Sequence, residues 1–234
     1  MSRIVAADER VPPSVNDKVP TIARVYDYWL GGKDNFAVDR ELAEKLMQAD
    51  PMTRAGLLAN RAFLGRAVRF LAGEAGIRQF LDIGTGIPTA NNVHEIAQSV
   101  DPGCRVVYVD HDPMVLAHAR ALLKSVTAPT AYIDADDPHR LVAELTAAVP
   151  PGSYLAISHP ASDIRAGVLA QAAMMSAELT VSITPRPYER VVPFFDGLDL
   201  VDPGIVAIPQ WRPDPGADTA PLPGWVGVAA KPAR

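Results

Sequence analysis

The sequence predicts an α/β fold, a doubly wound and mostly parallel sheet preceded by a helical extension. Three observations carry this reading. From Ile77 onward, short apolar runs bounded by glycine or proline alternate with stretches of helical periodicity, the pattern of strand–helix–strand units. The runs, such as QFLDIG, are apolar throughout rather than alternating, as suits parallel strands covered on both faces. Before Ile77 the periodicity is helical only.

Residues 1–19 are polar and broken by proline, and read as a loose tail. Ile22, Val25, Tyr26 and Trp29 then fall at i, i+3, i+4 and i+7, with Thr21 placed as N-cap and Gly31-Gly32 as the stop. A second helix is predicted over about 38–49 and a third over about 53–72, ended by AGEAG. QFLDIG is the first strand, followed by the helix TANNVHEIAQSV and the strand CRVVYVD. PMVLAHARALLKS reads as a helix with Pro113 in its first turn, and TAYID as a strand. DPHRLVAELTAAV is a helix capped by Asp137, SYLAIS a strand, and about 162–179 a helix. LDLVDPG and WVGVAAK, joined by a loop rich in Pro and Gly, fit two closing antiparallel strands. The divisions expected are a tail over 1–19, an extension or lid over 20–76, and a core over 77–234 that forms one compact unit with the extension.

Composition narrows the function. A chain of 234 residues with 48% hydrophobic and 21% charged residues can bury a core. A net charge of −5 argues against nucleic acid and anionic membranes as partners. The apolar runs fall short of the ~18–20 residues that span a bilayer, and MSRIVAADERVPPS lacks the apolar centre of a signal peptide. Cys104 is the sole cysteine, so a reducing, cytoplasmic setting is expected.

The chemistry concentrates at the strand ends, where open α/β sheets bind ligands. The first strand runs into DIGTG, Asp82 to Gly86. Gly84 and Gly86, flanking Thr85, permit a sharp turn and a close backbone approach. A dinucleotide fingerprint would need a third glycine, where Thr89 stands. Asp82 also places negative charge where a pyrophosphate would sit. A cationic, phosphate-free ligand such as S-adenosylmethionine fits better. Asp110, ending the second strand, can accept ribose hydroxyls in either class of site, and Asp134-Ala135 follows the third strand. His111 is placed to line the adenine pocket or to sit exposed.

PTIARVYDYWLGGKDNFAVDR, NRAFLGRAVRFL, FLDIGTGIPTANNVHEIAQ, VVYVDHDPMVLAHARALL, AYIDAD, PPGSYLAISH and FFDGLDLVDPGIVAIPQWRP resemble, in order, one family of bacterial S-adenosylmethionine-dependent methyltransferases, long catalogued as a domain of unknown function. The resemblance runs from about Pro20 to Lys231. It implies a class I methyltransferase (Rossmann-like) fold and adenosylmethionine as cofactor, with Asp82, Gly84, Thr85, Gly86, Asp110, His111, Asp134 and Ala135 around it. It also implies that the segment before the first strand folds over the cofactor mouth. Tyr26, Asp27, Tyr28, Gly32, Lys33 and Asn35 are then candidates for the lid or acceptor pocket, the aromatic faces attracting a sulfonium. The bland alternative is that Tyr26 packs in the core and Asp27 is solvated. His159, at the end of SYLAIS, is a candidate general base or a structural cap. No metal is expected, and the acceptor is expected to be a small molecule.

In one respect the chain departs from that pattern. A fourth strand, which the family places beside the first, has no counterpart between Ile133 and Asp137, so residues are expected to be missing there. A non-catalytic adenosylmethionine or nucleotide sensor therefore stands as an alternative, and a nicotinamide-dependent oxidoreductase as a more remote one.

Overall fold

The computed structural model describes residues 16–88, 91–110, 112, 114–115, 137–164 and 184–233. They fall into two compact units. One holds the described residues of Met1–Lys45 and Val68–Asp134, the other those of Leu46–Ala67, Ala135–Ala177 and Ser182–Arg234.

The first unit opens with α1 (Ile22–Trp29), whose Thr21 cap accepts the Arg24 N–H. Val25 and Trp29 are buried, as the apolar stripe requires, and the Trp29 indole N–H donates to the Ala43 carbonyl at 3.2 Å. Gly31 ends the helix at φ +82°, a conformation without steric cost only for glycine. Helix α2 (Ala37–Ala49) follows. In its first turn Asp39 accepts from the Phe36 N–H at 2.8 Å, satisfying one of the donors a helix start leaves over.

That same carboxylate ties α1 to α2. Asp39 is fully buried and Arg24 2% exposed. Arg24 Nε donates to Asp39 Oδ2 at 2.8 Å, and the Thr21 N–H donates to Oδ1 at 3.0 Å. Arg24 also donates to the carbonyls of Asn16 and Val19 and stacks 5.0 Å from the centre of the Phe36 ring. Residues 16–19, expected to be loose tail, are therefore held by backbone carbonyls that a buried guanidinium needs as acceptors.

Helix α3 (Thr53–Gly73) is followed by Gly76 at φ +69°, with the Ile77 N–H returning to the Leu71 carbonyl at 2.8 Å. Strand β1 (Gln79–Ile83) pairs parallel with β2 (Arg105–Val109), Gln79 opposite Arg105 and Ile83 opposite Val109. Between them lies α4 (Val93–Val100), fixed by Glu95 accepting from the Asn92 N–H at 2.8 Å. The first strand is not buried on both faces as its apolar run suggests. Leu81 is 52% and Ile83 44% exposed, on the face shared with Gln79.

The second unit contains α5 (Pro138–Ala148), capped by Asp137, which accepts from the N–H groups of His139 and Arg140. Its last carbonyls are satisfied from far along the chain. Lys231 Nζ donates to Thr146 O at 2.8 Å, Ala147 O at 3.2 Å and Val149 O at 2.7 Å, a cation where the helix dipole favours one. Strand β3 (Tyr154–Pro160) runs antiparallel to β6 (Gly224–Ala230), with Tyr154 opposite Ala230 and Pro160 opposite Gly224. A short helix α6 (Tyr188–Val191) and a 3₁₀ turn (Val192–Phe195) lead to β4 (Asp199–Leu200) and β5 (Val206–Ala207), both antiparallel to β6. The core of this unit is Val191, Phe194, Phe195, Ile205 and Ala229. The closing antiparallel strands are thus present as expected. Most of the predicted helix after Pro113, the strand TAYID, most of the predicted helix 162–179 and residues 133–136 of the expected break lie outside the described residues.

Breaking the Arg24–Asp39 pair leaves a buried guanidinium uncompensated. Asp39→Ala is expected to lower the unfolding free energy by about 3–5 kcal/mol, read from urea denaturation. Tyr28→Phe, which removes only an exposed hydrogen bond to Glu44, is expected to leave the urea midpoint unchanged. Equal midpoints for both variants would show that the pair does not organise this unit.

Candidate functional site

The DIGTG loop is held to the end of β2 by backbone geometry. Gly84 and Gly86 have φ of +72° and +69°, and a Cβ built on either would meet nothing within 4 Å. Both glycines therefore border open space, and their conformation rather than crowding demands them. The Gly84 N–H donates to Val109 O at 2.8 Å, and the Thr85 N–H reaches the same carbonyl at 3.4 Å. The Gly86 N–H donates to Asp110 Oδ2 at 2.8 Å. The other oxygen of Asp110 accepts from the Asp112 N–H at 2.9 Å, and Asp112 Oδ1 accepts from the Met114 N–H at 2.9 Å.

Asp110 is 5% exposed. Both of its carboxylate oxygens accept backbone N–H donors. Asp82 is half-buried on β1, in register with Tyr108. The Tyr108 hydroxyl accepts from the His94 N–H at 2.9 Å and meets His94 Nδ1 at 2.7 Å, fastening the start of α4 to β2. Asp82, Gly84, Thr85, Gly86 and Asp110 thus lie in one stretch of strand ends. His111, Asp134 and Ala135 lie outside the described residues.

The segment 24–36 is wired mainly to itself. Asp27, 3% exposed, accepts from the Asp34 N–H and from Asn35 Nδ2, each at 2.9 Å. Its carboxylate lies so near Gly32 that a Cβ there would come within 1.9 Å of Asp27 Oδ1. Asn35 Nδ2 also donates to Gly32 O at 3.1 Å, and its Oδ1 accepts from Arg40 Nη1 at 3.1 Å. The Tyr28 hydroxyl donates to Glu44 Oε1 at 3.0 Å, which raises its pKa. Asp27, Gly32, Asn35 and Tyr28, expected as lid or acceptor contacts, build the loop and its seat on α2. Tyr26 is half-buried and Lys33 exposed. The contact that carries this segment toward the end of β2 comes from Arg24, whose Nη1 lies 4.0 Å from Met114 Sδ. Sequence reasoning passed over Arg24, because its partners Asp39 and Met114 are distant in the chain.

His159 accepts at Nε2 from Arg186 Nη1 at 2.9 Å. A guanidinium only donates, so the ring is neutral with its proton on Nδ1. Burial, and next the Arg186 charge, hold its pKa down at about 4, against a smaller opposing effect of the Thr184 carbonyl. With its Nε2 occupied, the ring anchors Arg186, which accords with the structural role weighed for it. His139 stacks on Phe194 at 4.1 Å with the planes 11° apart. Among the described residues no group of three or more His, Cys, Asp or Glu could hold a metal, and no helix is long and apolar enough to cross a membrane.

The described residues thus form a parallel strand pair whose glycine loop is tied to an acidic residue ending the neighbouring strand. The chain matches the model of a family described as S-adenosyl methyltransferase over residues 8–137 and 131–232, and belongs to that family. It is 37% identical to a DUF574-family protein from Streptomyces avermitilis, with 92% of this chain and 99% of that one covered and a TM-score of 0.85. A candidate methyltransferase from Thermobifida fusca is 38% identical over 92% of this chain and 96% of its own, with a TM-score of 0.84. The plantazolicin methyltransferase BpumL, solved with S-adenosylhomocysteine (SAH) and a triazolic desmethylPZN analog, shares the fold at 11% identity, with 90% and 96% covered and a TM-score of 0.53. A comparison with curated proteins finds no match. The chain is an S-adenosylmethionine-dependent methyltransferase, and the nicotinamide and sensor alternatives are set aside.

The depressed His159 pKa makes stability depend on pH. The unfolded ring, with an ordinary pKa near 6.5, binds protons that the folded ring refuses until about pH 4. Its stabilising contribution is full above about pH 6.5 and is lost as pH falls toward 4. The thermal midpoint of the wild type is expected to drop more steeply across that window than that of His159→Asn. Parallel curves would mean that the ring titrates normally.

Proposed function

We propose that this methyltransferase acts on a small-molecule acceptor, with Asp82, Gly84, Thr85, Gly86 and Asp110 holding the cofactor. The observation that carries the assignment is the glycine loop. Its two left-handed residues face open space while their N–H groups are engaged by β2 and Asp110. The loop is therefore preorganised, and a ligand can lie against its backbone without displacing a side chain. Asp110 is an acidic residue at the end of the second strand, the position that meets a ribose in open α/β sheets, and Asp82 places an acidic group beside a positively charged ligand. When bound, adenosylmethionine supplies a methyl group on a sulfonium centre, open to in-line attack by an acceptor atom. The protein's contribution to that attack is chiefly positioning, with a base needed only where the acceptor keeps its proton. His111, Asp134 and Ala135 complete the cofactor pocket in this reading, and Tyr26 and Lys33 stand at its mouth. The architecture proposed is a doubly wound Rossmann-like core over 77–234 with its extension over 20–76, working in the cytoplasm.

Gly84→Val tests the assignment. Forcing a β-branched residue to φ near +72° costs about 1–2 kcal/mol, which leaves the domain folded, while the added methyl groups fill the space against the loop. Adenosylmethionine affinity, measured by calorimetry, is expected to fall by roughly tenfold or more with circular dichroism unchanged. Wild-type affinity in this variant would remove the glycine loop from the site. Asp110→Ala is expected to lower both affinity and thermal midpoint, because the same carboxylate holds Gly86 and Asp112.

A further inference from the structure

A phosphate is ordinarily held in an α/β fold by backbone N–H groups, those of a glycine-rich turn and those at the start of the helix after it. Such a site works because the fold leaves these donors unpaired. In this chain they are spent. The Gly84 and Thr85 N–H groups turn to Val109 O at 2.8 and 3.4 Å, and the Gly86 N–H to Asp110 Oδ2 at 2.8 Å. Beyond the turn, the Asn92 N–H donates to Glu95 Oε2 at 2.8 Å and the His94 N–H to the Tyr108 hydroxyl at 2.9 Å. Each of these N–H groups meets an acceptor of the chain itself before any ligand arrives.

Two of those acceptors are side chains that the turn itself does not need. Tyr108 is 3% exposed and belongs to β2, so its hydroxyl reaches the first turn of α4 from the sheet. Its ring stands edge-on to His94, 5.9 Å between centres, and the hydroxyl also meets His94 Nδ1 at 2.7 Å. A buried ring held in this way has little freedom to turn aside. Glu95 brings a charge with its hydrogen bond. An anion is the favoured partner of a helix start, and the Glu95 carboxylate takes that place. Asp82, opposite Tyr108 in the parallel register, adds a further carboxylate on the same face of the strand pair. We propose that Tyr108 and Glu95 are specificity-determining residues that close this turn to phosphate, restricting the site to adenosine ligands without a phosphate chain. This deepens, and rests on, the cofactor reading. The glycine loop offers room but no donors. A diphosphate laid against it gives up water and finds carboxylates in place of N–H groups, which leaves its charge uncompensated.

Adenosine and ADP differ only in the diphosphate, so calorimetric titration of the whole chain with each isolates its effect. The wild type is expected to bind ADP roughly tenfold or more weaker than adenosine. Tyr108→Phe combined with Glu95→Gln removes the hydroxyl acceptor and the charge, and is expected to narrow that ratio by roughly tenfold. Glu95→Gln alone keeps the Tyr108 contacts and a side-chain acceptor for the Asn92 N–H, and is expected to narrow the ratio in part. It supplies the test if the double variant does not fold. ADP binding as tightly as adenosine in the wild type would overturn the proposal, as would an unchanged ratio in the folded variants. Adenosylmethionine is titrated on the same samples. Adenosylmethionine binding with an unchanged ratio sinks the phosphate exclusion alone, whereas a wild type that binds neither adenosylmethionine nor adenosine sinks the cofactor reading.

Discussion

The buried pair of Arg24 and Asp39 is the constraint on which the N-terminal half of this protein depends. Two charges removed from water are stable only when nearly every donor and acceptor is met, and the local sequence is arranged to meet them. Asp39 takes the Arg24 guanidinium and the N–H groups of Thr21 and Phe36. Arg24 takes Asp39, two backbone carbonyls and the face of Phe36. One pair thus fixes the cap of α1, the start of α2 and the strand of chain before both. Through Met114 it also reaches the turn that follows Asp110. The glycine loop and the N-terminal segment are, within this unit, two ends of one polar chain.

What was legible in the sequence is what chain neighbours decide among themselves. Thr21 and Asp137 cap the helices they precede, Gly31 and Gly76 follow helices and take the left-handed conformation, and Gly84 and Gly86 turn the chain where the motif demands. Each depends on a few adjacent residues. The pairings that were not legible join residues far apart: Arg24 with Asp39, Arg186 with His159, and Lys231 with the carbonyls ending α5. Composition cannot choose among the many acids available to an arginine. It also cannot distinguish an aspartate aimed at a ligand from one that folds its own loop, which is why Asp27 and Asn35 were read as acceptor contacts.

The expected break near residues 133–137 coincides with a feature of the family match. That match comes in two pieces, 8–137 and 131–232, sharing only 131–137. Gln79, Leu81 and Ile83 are exposed along one face of β1, and Ala156, Ser158 and Pro160 along one face of β3.

The segment RVYDYWLGGKDNF looked dressed for a ligand because it mixes aromatics, charges and paired glycines. Its side chains are mostly committed elsewhere. Trp29 is core, Tyr28 belongs to Glu44, and Asp27 fills the place a side chain on Gly32 would take. A loop folded around its own carboxylate holds its shape without a ligand, so little conformational entropy remains to be lost when one arrives. The polar residues of this stretch fix its own backbone: Asp27 holds Asp34 and Asn35, and Asn35 holds Gly32.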